Sequence, residues 1–182
     1  ETKRVKKGKY EVIKNEKPKS RSKPSSKKNP MEPIIDAVNT DGWAKLHLAA
    51  LSGDAKAVNS LLERGANVDR TGKNGRTALH LAASEGHIEM VNTLLANGSN
   101  SNQVDNKKRT ALHLAASEGH TEIVNILLEK RAGINQGDYK ERTPLYLAVS
   151  EGHIDIVNTL LANGSNINQR DNKERTALHW AA

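Results

Sequence analysis

The sequence predicts an all-α repeat solenoid built from stacked helix-turn-helix units, and three observations carry that prediction. His47, His80, His113, Tyr146 and His179 follow one another at a constant interval of 33 residues. Around them the chain repeats itself, as RTALHLAASEGHIEMVNTLL at 76–95, RTALHLAASEGHTEIVNILL at 109–128 and RTPLYLAVSEGHIDIVNTLL at 142–161. A fixed period between about 20 and 50 residues marks units that bury their apolar faces only against their neighbours. Composition agrees, because 36% hydrophobic residues with 3% aromatics and no Phe cannot fill a bulky core. Thin layers of Leu, Ile, Val and Ala between units need no more than that.

The first element is a basic arm. Residues 1–33 hold twelve Lys and Arg against four Glu, a net +8 that leaves −1 on the rest of the chain. Residues 1–30 have few apolar groups and no periodicity, and they include KPKSRSKPSSKKNP. Such a segment cannot bury enough surface to offset its ordering entropy, so it is predicted to be disordered. Three roles stay open for it: a solubilising or linking tail, an import signal at Lys3, Arg4, Lys6 and Lys7, and nonspecific attachment to nucleic acid or anionic membrane. Tyr10 is the arm's only aromatic, too little for base stacking. Residues 31–40 follow as an N-terminal capping segment, with MEPIIDAV read as a capping or incomplete helix. The chain starts at Glu1 and stops inside a unit, and so reads as a piece of something longer.

Residues 75–106 show how one unit works. Thr77 precedes a short apolar helix and can accept from its unpaired N–H groups. The same place in a later unit reads Thr143-Pro144, with Pro at the first helical position, where its missing N–H does no harm. Leu79, Ala82 and Ala83 form one face, and the two alanines let neighbouring helices approach closely. Gly86 ends this helix in a left-handed turn. His87 leads into a second helix whose Met90, Val91, Leu94 and Leu95 keep helical spacing. Gly98 stops it, and a polar stretch carries the chain to the next unit.

Thr-Ala/Pro-Leu-His-Leu-Ala-Ala, then Gly-His, then Val-x-x-Leu-Leu, then Gly, resembles the ankyrin repeat. The likeness runs from about Asn39 to Ala182, through units at 41–73, 74–106, 107–139 and 140–172 and the start of a fifth at 173–182. It implies β-hairpin fingers, a concave inner-helix face and a non-catalytic role in protein–protein binding, with no cofactor. The chain departs from the pattern in places. Gly42 and Gly75 keep the finger glycine, whereas Lys108, Glu141 and Glu174 replace it. Arg131 replaces the glycine of Gly65, Gly98 and Gly164. Each replacement costs roughly 1 kcal/mol if the backbone stays left-handed; otherwise the turn relaxes. Ser101 takes the apolar place of Val68, Ile134 and Ile167, so that junction or the turn at Arg131 is expected to be the soft point. Asn102, Asn135 and Asn168 resemble the asparagines that are hydroxylated in animal members of the family.

Seven histidines invite a metal or general-base reading. They fall into two rows of repeat copies, whereas a metal site needs different positions converging within coordination distance. The resemblance assigns His47, His80, His113 and His179, with the nearby Thr, to finger hydrogen bonding. No nucleophile elbow, phosphate-cradling glycine loop or HExxH motif occurs, so neither catalysis nor a metal is expected. The absence of Cys suits a reducing compartment, hence cytoplasm or nucleus. No apolar run approaches the roughly 20 residues of a membrane helix.

Rows 33 residues apart become lines of side chains along the stack. Trp43, Arg76, Arg109, Arg142 and Arg175, with Tyr139 at a tip, make a finger row of the residue types that dominate binding hot spots. Glu85, Glu118 and Glu151, with Trp180, are expected in the concave groove. Duplication alone would leave the same rows as solvated background. The function that follows is a non-catalytic scaffold, a monomeric array binding a protein partner by finger tips and groove. The alternatives are a recognition module of a larger enzyme, channel or bacterial effector, and a nucleic-acid-associated protein using its basic arm.

Overall fold

A computed structural model describes residues 35–180. The basic arm, its cluster at Lys3, Arg4, Lys6 and Lys7, and the start of the capping segment lie outside the described residues.

Helices come in pairs, one pair per unit. The chain runs α1 (Lys45–Ser52), α2 (Ala55–Glu63), α3 (Ala78–Glu85), α4 (Ile88–Ala96), α5 (Ala111–Glu118), α6 (Thr121–Glu129), α7 (Pro144–Ser150) and α8 (Ile154–Ala162). A short 3-10 turn, Ala177–Trp180, stands where a fifth inner helix is expected. The odd-numbered inner helices pack on one another in sequence, and the even-numbered outer helices form a parallel second row. The inner row packs more closely because its contacts are made by Ala49, Ala50, Ala82, Ala83, Ala115, Ala116 and Ala148, all buried. Between the rows lies one continuous apolar layer, with Leu79, Met90 and Leu94 repeated as Leu112, Ile123 and Leu127, then as Leu145, Ile156 and Leu160.

Local chemistry starts and stops each helix. Thr77 and Thr110 are N-caps whose hydroxyls accept from the backbone N–H of His80 and His113. Thr143 does the same for Tyr146, ahead of Pro144 at the first helical position. Gly86 ends α3 at φ +81°, and a Cβ there would stand 2.7 Å from the ring of His120. The turn and the close approach both require glycine.

Two rails of hydrogen bonds tie unit to unit. Nε2 of His87, His120 and His153 donates to the carbonyls of Leu51, Ser84 and Ser117 at 3.1, 3.0 and 2.9 Å, joining each outer-helix start to the preceding inner-helix end. In the second rail Asp36, Asp69, Asn102 and Asn135 each accept from a backbone N–H 31 residues on, at Asn67, Asn100, Gly133 and Asn166.

That second rail corrects one expectation. Ile35–Val38, within the segment read as a capping or incomplete helix, is a turn followed by a single antiparallel bridge between Val38 and Ala44. The reason is register: Ile35 and Asp36 stand 33 residues before Val68 and Asp69 and do the same work, Ile35 packing on the core and Asp36 holding the next loop. Residues 35–38 thus keep the register of the loop at 68–71 and are not helical.

Three finger turns and the turn after α6 keep their left-handed backbone without glycine. Lys108, Glu141, Glu174 and Arg131 sit at φ +55°, +59°, +61° and +58°, inside the narrow left-handed well open to L-residues. The glycines at the positions equivalent to Arg131 reach φ +86° to +87°. Of the two outcomes open to these turns, strain is the one realised, moderated by retreat to a smaller φ. Ser101 is buried, 8% exposed, and its hydroxyl reaches the Lys130 carbonyl only at 3.4 Å.

Candidate partner-binding edge

Each finger is a five-residue turn closed on itself by two backbone bonds. In the third, Asp105 N–H donates to the Arg109 carbonyl at 2.9 Å and Lys108 N–H to the Asp105 carbonyl at 2.8 Å. The pattern recurs at Asp138–Arg142 and Asp171–Arg175. One backbone bond then links each finger to the one before, from Lys73, Asn106, Tyr139 and Asn172 to the carbonyls of Gly42, Asn74, Lys107 and Lys140. The fingers are thus short turns joined side by side into a continuous edge.

A buried aspartate holds each of the last three. One Asp105 oxygen accepts from the backbone N–H of Lys107 and Arg109, at 2.8 and 2.9 Å. The other takes Nε and Nη2 of Arg109, at 3.0 and 2.7 Å, a bidentate charge-assisted pair. Asp138 with Arg142 and Asp171 with Arg175 repeat this geometry. Burial alone would raise the carboxyl pKa of Asp105. The guanidinium of Arg109 and the two N–H donors outweigh it and hold the group below the usual carboxylate range. Burial likewise works against the Asp171 anion, and the donors of Arg175, Lys173 and the Tyr146 hydroxyl reverse the effect. Tyr146, which replaces a histidine, donates to Asp171 at 3.0 Å; burial, then that carboxylate, pushes its own pKa up.

The histidines lock the fingers to the helices. Nδ1 of His80 accepts from the backbone N–H of Thr77, which leaves Nε2 as the protonated nitrogen donating to the Arg109 carbonyl at 2.9 Å. His113 makes the same bond to Arg142 at 3.1 Å. Burial disfavours the imidazolium strongly enough to bring His113 down to about 4, and it lowers His47 and His80 as well. These rings are neutral connectors, not bases facing a cavity. Among the described residues no group of three or more His, Cys, Asp or Glu converges to hold a metal ion.

A family model described as ankyrin repeats (3 copies) matches residues 24–105, 46–138, 94–171 and 134–182. The chain belongs to the ankyrin-repeat family. Ankyrin repeats are in general protein–protein interaction modules, and the family is typically non-catalytic. Comparison with curated proteins finds no match.

On this ankyrin edge the residues picked from the sequence divide by environment. Arg109, Arg142 and Arg175 keep only 20%, 26% and 33% of their side chains exposed, and all three grip an aspartate. Arg76 has no aspartate in its own finger, because Gly72 stands there. Trp43 is half-buried over that glycine, against His47 with ring centroids 5.5 Å apart. Tyr139 is 47% exposed at a finger tip beneath the Lys140 ammonium, 5.3 Å from its ring. Glu85, Glu118 and Glu151 are exposed at the inner-helix ends. Leu81, Leu114 and Leu147 are packed away, while Leu48 and Trp180 are exposed. Trp180 stacks edge-on to Tyr146 and lies under Arg175 rather than standing alone in a groove.

The aspartates were the residues missed. The signal was present as Asp-x-x-x-Arg in DNKKR, DYKER and DNKER, with GKNGR and NTDGW breaking it.

Proposed function

We propose that the chain is a non-catalytic scaffold that holds a protein partner on its finger edge and on the acidic inner-helix ends below. One observation supports this above the others: successive fingers are fastened to each other and clamped internally, so that side chains such as Lys73, Lys107, Lys108 and Tyr139 project from a pre-ordered line. Pre-ordering removes part of the entropy cost of binding. The groups that could do acid–base chemistry are instead spent inside the hydrogen-bond rails. The reading places the protein in the cytoplasm or nucleus, among protein partners.

The test must spare the clamps. Reversing Arg109 or Arg142 would remove a structural ion pair, so Lys107→Glu combined with Tyr139→Ala is the informative variant. Both side chains are exposed, and neither makes a side-chain hydrogen bond to the described residues. Capture of partners by the intact protein should fall while the helical circular-dichroism signal stays the same. Undiminished capture would refute the finger edge as the binding surface.

A further inference from the structure

We infer that the second finger, Gly72–Arg76 with Trp43 lying over it, is the specificity point of the edge and takes an acidic side chain, Asp or Glu, from a peptide partner. This rests on the protein-binding reading above and names its chemistry.

Three observations converge on Arg76. Among the described residues it is the one arginine of the row whose guanidinium makes no hydrogen bond: Nε is shielded from water without an acceptor. Its nearest carboxylate oxygen is on Asp105, 3.9 Å from Nε, and that oxygen already takes both the Nε and Nη2 donors of Arg109. The side chain nevertheless keeps a quarter of its surface open, at 25% exposed. Burial and the neighbouring Arg109 charge both press its pKa down, so the cation is held in a place that favours a further anion. Lys73, Lys107 and Lys108, all exposed on the flanking turns, add to the positive field.

A single carboxylate fits better than a polyanion. Glu85 and Glu118 lie near enough to act on the Arg76 charge, and they would repel a phosphate chain drawn along the edge. One carboxylate can engage the guanidinium fork in the desolvated geometry that gives such pairs their strength. Trp43, from the first finger, lies over Gly72, which sets two residue types enriched in hot spots on neighbouring fingers.

The test uses the whole chain and a displayed library of random peptides. Selected peptides should be enriched in Asp or Glu at one anchor position. By fluorescence anisotropy, Arg76→Gln should weaken a selected peptide by at least about tenfold. Lys73→Gln should change it by less than about threefold. Arg76→Gln should also shift the melting temperature only slightly, since no hydrogen bond is lost and the Asp105 contact is as long as 3.9 Å. A library reselected on Arg76→Glu should turn to Lys or Arg at the anchor. Peptides that bind but lose less than about twofold on Arg76→Gln would overturn the inference and leave the protein-binding reading standing. Tighter binding when the anchor is phosphoserine would also overturn the choice of a carboxylate. Failure to select any binding peptide would bring down both.

Discussion

Asp138→Ala is the sharpest test of the clamp. The Asp138 carboxylate is fully buried and accepts four bonds: from the backbone N–H of Lys140 and Arg142 at 2.8 and 3.0 Å, and from Nε and Nη2 of Arg142 at 3.0 and 2.7 Å. Removing one partner of a buried ion pair costs about 3–5 kcal/mol, because the other charge is left without compensation. The Arg142 side chain is 26% exposed and can recover some hydration, which places the expected loss near the lower end, about 3 kcal/mol. Arg142→Gln should cost somewhat less, about 2 kcal/mol, since the backbone donors still hold Asp138. Arg76→Gln, which loses no hydrogen bond, should cost under about 0.5 kcal/mol. Urea unfolding followed by circular dichroism measures all three, and the Asp138/Arg142 double mutant should show coupling of about 1–3 kcal/mol. Equal losses for Arg142→Gln and Arg76→Gln would refute the division of the row into clamped and unclamped arginines.

Other outcomes follow from the same geometry. Ser101→Val should raise stability by about 1 kcal/mol, since a buried site holds a hydroxyl with only a 3.4 Å bond, and a thermal melt should move up by about 2–4 °C. Arg131→Gly should gain up to about 1 kcal/mol, read as a higher urea midpoint, because its left-handed φ is the cost and the equivalent Gly65, Gly98 and Gly164 have open space around them. Gly98→Ala should cost only about 1 kcal/mol, while Gly86→Ala should cost clearly more by the same measurement, since its Cβ meets the His120 ring as well as the strained φ. Acid should destabilise in a defined window. The unfolded His113 ring takes its proton near 6.5 and the folded one near 4, so stability is full above the first value and falls by roughly 3 kcal/mol on the way to the second. His47 and His80 act in the same sense, whereas the lowered carboxyls of Asp105 and Asp171 add their loss only below 3.8. A urea midpoint that is flat between about pH 7 and 4.5 would contradict the buried neutral rings.

The fold was legible because the forces that set it repeat along the chain. Thr77, Gly86 and His80 each act within a few residues or one period, so a row of copies exposes their role. The candidate site was harder to read, because the roles of its members depend on partners in the same finger or the next. Arg109 and Arg76 look alike in sequence, and only an aspartate four residues before the first separates a clamp from an unclaimed cation. The helical reading of residues 35–38 failed for a related reason. Asp36 keeps the period with Asp69, but its neighbours lack the apolar run that draws attention to a unit, and its work is done on a backbone N–H 31 residues away.

Trp43, Gly72 and Arg76 look like three separate irregularities, and the packing makes them one. Arg76 approaches Asp105, which stands 29 residues later, and Trp43 stands in the same relation to Gly72. A Cβ at position 72 would lie 2.9 Å from both the Trp43 ring and the Gly42 carbonyl, so the indole occupies the place of an aspartate side chain. With the Trp43 ring and the Gly42 carbonyl both this close, residue 72 must be small. Once residue 72 is glycine, Arg76 loses the carboxylate that its counterparts grip. The guanidinium without a hydrogen-bond partner is therefore the far end of one substitution, and restoring the pattern requires two changes together. Trp43→Arg with Gly72→Asp removes the ring clash and, with a small shift of the Gly42 carbonyl, should rebuild a clamp in the second finger and raise the urea midpoint. It should also remove Arg76 from the surface available to an acidic peptide. Gly72→Asp alone should destabilise, and if it instead stabilised the protein to the same degree as the pair, the coupling argued from the Trp43 contact would be wrong.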